Sequence, residues 1–271
     1  MYKKTKEEVE EIVKGGKILG EILEQLSDMV EPGINAWEVD QKAEKLILDA
    51  GGKPAFKGYR GRKSDPPFPS TICASINMDL VHGIATKEKI LKEGDIFSID
   101  IGMEFSSEKV KGKSRNGRGY FTDTALTIPV GEIKEETRQL MSVTKKALEV
   151  GIDAVEIGGS IADIGKAIQA YVESVGNYGI VRDLVGHGVG HDVHEDPRVP
   201  NFYDPDVEKW KIEPGVVIAI EPMITLGGYQ IKTADDGWSI FTVDNSLNAH
   251  YEHTICVTEN GVVVATRRPS E

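Results

Sequence analysis

Apolar residues recur at Val9, Ile12, Val13, Leu19, Ile22, Leu23, Leu26, Met29 and Val30, with charged residues between them. This spacing is one face of a helix and predicts an amphipathic helix over 6–30, ended by Pro32-Gly33. A second helix is predicted to start at Asn35, which can cap it, with Glu38 three residues on in capping-box position, and to end at Gly51-Gly52. A Gly- and Pro-rich loop follows at 57–69. Strand-like runs lie near 71–77, 95–101, 120–128, 216–224 and 252–258, with helical patterns near 133–149 and 160–175. Helices alternate with strands throughout, a mixed α/β pattern.

The pattern also repeats weakly. Gly33-Ile34-Asn35-Ala36-Trp37-Glu38-Val39 returns as Gly151-Ile152-Asp153-Ala154-Val155-Glu156-Ile157. Lys92-Glu93-Gly94-Asp95-Ile96-Phe97-Ser98-Ile99-Asp100 returns in the run from Ile212 to Glu221, so that a Gly turn opens a strand and a carboxylate closes it in both copies. Val81-His82-Gly83 has a counterpart in Val193-His194-Glu195, and Tyr120-Phe121-Thr122-Asp123 in Ala249-His250-Tyr251-Glu252. Matches in the same order imply two similar halves facing each other across a shared site. The period is too long for a solenoid.

Composition narrows the function. The 271 residues carry 32 Lys+Arg against 44 Asp+Glu, a net charge of −12, which argues against nucleic-acid binding over a broad face. Two cysteines cannot build a disulfide framework, so a reducing cytosol is expected. The N-terminus has no apolar core of a signal peptide, and no apolar run is long enough to span a membrane.

Asp100, Asp123, Glu221 and Glu252 each sit in an apolar strand context at a repeat-related position. One such carboxylate alone reads as a strand end or as the partner of a Lys or Arg. Four facing one another would repel unless cations lay between them, and divalent metal answers that need. Three of the six histidines cluster in Gly186-His187-Gly188-Val189-Gly190-His191-Asp192-Val193-His194-Glu195. The run fits neither a dinucleotide fingerprint nor H-E-x-x-H, and its spacing does not say which ring binds.

In order along the chain, Ser75-Ile76-Asn77, Val81-His82-Gly83-Ile84, Ile99-Asp100-Ile101-Gly102, Thr122-Asp123-Thr124, Gly186-His187-Gly188-Val189-Gly190, His194-Glu195, Ile220-Glu221-Pro222 and Tyr251-Glu252-His253-Thr254 resemble the motifs of the type I methionine aminopeptidases. The resemblance covers nearly the whole chain. It implies the α+β pita-bread fold: a single catalytic domain, 1–271, of two pseudo-twofold-related half-domains, about 5–130 and 131–265, with a curved antiparallel sheet covered by helices. It implies removal of the initiator Met from nascent proteins when the second residue is small. It also implies two divalent metal ions (Co, Mn, Fe or Zn), with Asp123 and Glu252 bridging both, Asp100 on one, and His187 and Glu221 on the other. Glu221 would also shuttle a proton, His194 would bind the substrate carbonyl and the oxyanion, and His82 would contact the backbone N of the second residue. Cys73 and Trp238 would line the Met pocket, with Phe68 and Tyr59 as further candidates.

The chain departs from that family in two places. Loop 57–69 is lengthened, and an insert at about 103–120 separates Asp100 from Asp123. Lys109, Lys111, Lys113, Arg115 and Arg118 in the insert, with Lys57, Arg60, Arg62 and Lys63 in the loop, form two basic runs that read either as a solvated face aiding solubility or as a dock for ribosomal phosphates. The expected protein is a cytoplasmic monomer without membrane contact. The alternative is an X-Pro aminopeptidase or prolidase of the same fold. Such enzymes usually carry an extra N-terminal domain, and only about 80 residues precede His82. A non-catalytic binding protein on this fold would be expected to lose ligands, whereas this chain keeps all five.

Overall fold

The computed structural model describes residues 3–63, 65–107 and 117–271. Helix α1 (Lys6–Ser27) opens with a capping box, in which Thr5 accepts from the Glu8 backbone N–H and Glu8 accepts from that of Thr5. Met29 and Val30 close on the carbonyls of Leu26 and Ser27, so the helical pattern read to residue 30 ends in a tighter turn. Helix α2 (Ala36–Asp49) is capped by Asn35, as its sequence predicts. Glu38 completes no capping box there; its carboxylate instead accepts from the Asn35 side-chain amide.

Strands β1 (Lys53–Pro54), β2 (Ile72–Ile76), β3 (Asp79–Val81), β4 (Ile96–Phe105) and β5 (Tyr120–Pro129) follow. Helices α3 (Glu135–Asp153) and α4 (Ile161–Val175) come next, α4 capped by a Ser160–Asp163 box. The chain then forms β6 (Gly179–Ile180), β7 (Gly186–Gly188), β8 (Glu195–Val199), β9 (Val217–Ile220), β10 (Met223–Thr225), β11 (Ile231–Thr233), β12 (Ile240–Thr242), β13 (Asn248–His250), β14 (Glu252–Thr258) and β15 (Gly261–Val264). Among the described residues the main sheet has nine strands, in the order β1-β4-β5-β14-β9-β7-β8, with β2 beside β4 and β15 beside β14. All its pairings are antiparallel.

Strand alternation gives this sheet two different faces. Phe97, Ile99, Ile101 and Met103 of β4 pack with Leu19, Leu23 and Leu26 of α1 and Val39, Ala43 and Ile47 of α2. Ile218 and Ile220 of β9 and Ile255 and Val257 of β14 pack with Leu140, Leu148, Ile164 and Ile168 of α3 and α4. Two helix pairs thus cover one face. Asp100, between Ile99 and Ile101, belongs to the other face, and the strand register puts Asp123 and Glu252 on that face with it.

The last residues of the chain lie across α1. A Cβ on Gly16 would come 2.7 Å from the Ala265 carbonyl oxygen, and one on Gly20 would come 2.8 Å from that of Thr266. Glycine at both positions permits this close approach. No described helix is long and apolar enough to cross a membrane.

Candidate active site

Register brings the carboxylates together. Ala125 of β5 pairs with Asp100 of β4 on one side and with Glu252 of β14 on the other. Asp123 lies two residues before Ala125, on the same face of β5. Strand β9 ends at Ile220, which pairs with His253, so Glu221 emerges one residue later at the level of Glu252. Pro222 has no N–H for a ladder, which fits the break in the run read over 216–224. His187, on β7, lies 3.8 Å from Asp123 and 3.6 Å from Glu221, Nε2 to carboxylate oxygen. One ligand atom from each of Asp123, His187 and Glu252 falls within a 4.8 Å group, a spacing that could hold a metal ion.

These five side chains line one cavity of about 420 Å³. His82, His194, Cys73, Trp238, Phe68 and Tyr59 line it too. Cys73 pairs directly with Asp100 across β2 and β4, which puts it on the site face. His82 reaches the cavity from a left-handed backbone, φ +58°, a conformation that costs a non-glycine residue about 1–3 kcal/mol. Phe68 and Trp238 meet edge to face with ring centroids 5.3 Å apart. The His194 ring stands edge-on to His187 at 4.4 Å and meets the Tyr59 hydroxyl at 2.9 Å.

The sequence reading did not single out Phe56, Val81, Leu184 and Met223 as walls, or Asp183 and Arg198 as polar lining. Met223 carried a usable signal, since it follows Glu221 by two positions. It also left His250 without a role. That ring is buried, 3.6 Å from Glu221, and neither of its nitrogens has a hydrogen-bond partner among the described residues.

Burial dominates the electrostatics. It pushes Glu221 up to about 8. It pushes Asp100 up to about 6, with Glu221 adding repulsion and His250 opposing it. Asp123 and Glu252 are pushed well above the carboxylate range by burial and then by neighbouring carboxylates. Burial also lowers His82 to about 4 and His187 to about 3, so both rings are neutral with a lone pair to offer. Asp100, Asp123 and Glu252 each bury one carboxylate oxygen that has no hydrogen-bond partner among the described residues. A buried acceptor left in this state is costly, and a cation at these oxygens would satisfy them and relieve the repulsion. The donor set, carboxylates with one imidazole, therefore fits divalent metal.

Fold and site together define a metal-dependent hydrolase. Residues 10–259 match the model of metallopeptidase family M24. The chain is 42% identical to a methionine aminopeptidase from Clostridium acetobutylicum over 97% of each sequence. The crystal structure of a methionine aminopeptidase from Thermotoga maritima superposes with a TM-score of 0.87 at 38% identity, covering 98% of each chain. A prolidase from Pyrococcus furiosus shares the fold at 24% identity and a TM-score of 0.73, but only 65% of that chain is covered. The chain belongs to metallopeptidase family M24, in its type I methionine aminopeptidase branch, and its curved antiparallel sheet under helices is the pita-bread fold.

Proposed function

We propose that the protein is a dinuclear-metal aminopeptidase that removes the initiator Met from nascent chains whose second residue is small. The observation that carries this reading is the set of buried carboxylates with unpartnered oxygens at an apolar-walled cavity. Asp123 and Glu252 would contribute to both ions, Asp100 to one, and His187 and Glu221 to the other. Co, Mn, Fe and Zn all suit such donors. When bound, the ions supply Lewis acidity and a water nucleophile at neutral pH.

The other roles belong to the chain. The Met side chain enters the pocket walled by Cys73, Phe68, Trp238 and Tyr59. The neutral His194 ring donates to the carbonyl oxygen as negative charge develops there. Glu221 passes a proton toward the leaving amine. His82 receives the backbone N of the second residue and limits the room for that side chain.

The test compares Met-Ala-Ser, Met-Leu-Ser and Ala-Pro-Pro. Fast release of Met from the first, slow release from the second and no cleavage of the third is expected. Cleavage confined to Ala-Pro-Pro would replace this reading with the X-Pro one, and no cleavage of any peptide by metal-loaded protein would favour a binding protein.

Cytoplasmic action on ribosome-borne chains belongs to the same proposal. The buried free thiols of Cys73 and Cys256 agree with a reducing compartment. Of the residues in the two basic runs, Lys109, Lys111, Lys113 and Arg115 lie outside the described residues. Lys57 pairs with Glu44, and Arg118 with Asp192, so neither offers an uncompensated charge. Arg62 and Lys63 stand exposed on the other loop.

A further inference from the structure

We infer that Tyr59 is a positioning residue for the reaction: its phenol fixes the tautomer of His194 so that the ring presents Nε2–H to the developing oxyanion. This rests on the reading of His194 as the oxyanion donor and adds what holds it in a donating state. A neutral imidazole carries one proton, on either nitrogen, and only one tautomer can donate from Nε2. His194 Nδ1 lies 2.9 Å from the Tyr59 hydroxyl. The phenol carries its proton at neutral pH, burial and Asp192 only raising its pKa further, so a donor stands at Nδ1. When the phenol donates to Nδ1, the ring proton must sit on Nε2. The reverse arrangement would leave Nε2 bare and repel an oxyanion.

Both partners are held in place. The Tyr59 backbone N–H donates to the Phe56 carbonyl at 2.8 Å, and its carbonyl accepts from Phe68 at 2.8 Å. Next to His194, the Glu195 carboxylate accepts from the backbone of Asp192 at 3.0 Å and from the buried Lys4 ammonium at 2.9 Å. The two rings meet edge to face at 5.2 Å. Tyr59 thus has a second task beside walling the pocket, and its hydroxyl, not its ring, performs it.

The experiment uses zinc-loaded enzyme, which is diamagnetic, in four forms: wild type, Tyr59→Phe, His194→Ala and the double variant. Nitrogen-15 NMR of labelled histidine, with His194 assigned by its loss in His194→Ala, reports the tautomer. Steady-state kinetics on Met-Ala-Ser report kcat and KM separately. Wild type should show the Nε2–H form and Tyr59→Phe a mixture. Tyr59→Phe should lower kcat roughly 3- to 10-fold, the worth of one hydrogen bond, and leave KM within about twofold. In the His194→Ala background it should lower kcat no further, because it acts through that ring. An Nδ1–H form in wild type, an unchanged kcat in Tyr59→Phe, or a full additional loss in the double variant would overturn the inference. Loss in His194→Ala with wild-type kcat in Tyr59→Phe overturns it while sparing the role of His194. Unchanged kcat in His194→Ala overturns the parent reading.

Discussion

Glu221 stands where the backbone leaves a strand, and this single position joins three demands. It faces His187 and His250, it keeps about 14% of its side chain exposed, and desolvation still pushes its carboxyl up to about 8. Glu221→Gln keeps the shape and removes both the charge and the proton carrier. Turnover of Met-Ala-Ser should fall at least about 100-fold, and metal should bind more weakly; near wild-type turnover at saturating metal would remove Glu221 from the mechanism. The same desolvation predicts a pH dependence for metal-stripped protein. An unfolded Glu titrates at 4.5, and folded Glu221 at about 8. A carboxyl with a raised folded pKa favours the folded state fully below the lower value and loses that contribution as pH rises through the upper one. Asp123 and Glu252 act in the same direction. The Tm of stripped protein should therefore fall as pH rises across that window, and the Tm gain on adding metal should grow. A gain that is constant with pH would contradict this.

Among the elements, the long periodic ones were legible and the short ones were not. Helix α1 and strands β4, β5 and β14 carry enough residues for a 3.6- or 2-residue period to show. Strands β3, β7 and β10 to β13 have three residues each and no period of their own. Motif resemblance, more than periodicity, marked the site residues, since Asp100 and Asp123 lie in strands that read as buried on both faces. Strand β4 continues to Phe105, past the expected end at 101, because Gly102 is not a turn: a Cβ there would lie 2.7 Å from the Phe56 ring. His250 was missed because a buried ring in a short strand has the sequence context of core. At this scale Gly20→Ala sets two effects against each other. Helix propensity favours Ala by about 1 kcal/mol, whereas a Cβ would meet backbone of Thr266 and Arg267. Overpacking against backbone costs about 1–3 kcal/mol, so Tm should drop while kcat per folded molecule holds. A raised Tm would show that the terminal segment yields easily.

For the whole molecule, the two helix pairs cover one face of the sheet and the chemistry lies on the other. The weak repeat in the sequence supports reading these as two half-domains, each supplying carboxylates and a histidine. With a net charge of −12, the chain has no broad basic face, so any phosphate docking would fall to local basic loops. If the insert docks on ribosomal phosphates, charge reversal of Lys109, Lys111, Lys113 and Arg115, leaving Arg118 paired with Asp192, should weaken ribosome binding and flatten its salt dependence, with tripeptide turnover unchanged; unaltered ribosome affinity across a salt series would leave those charges to solubility alone. The central claim is that the carboxylate ring works only with cations in it. Chelator-stripped protein, titrated with Mn, Co, Fe or Zn under anaerobic conditions, measures this through bound metal per chain and Met release from Met-Ala-Ser. Release should vanish on stripping and return as two ions bind each chain. Undiminished release from protein holding no divalent ion would contradict the account.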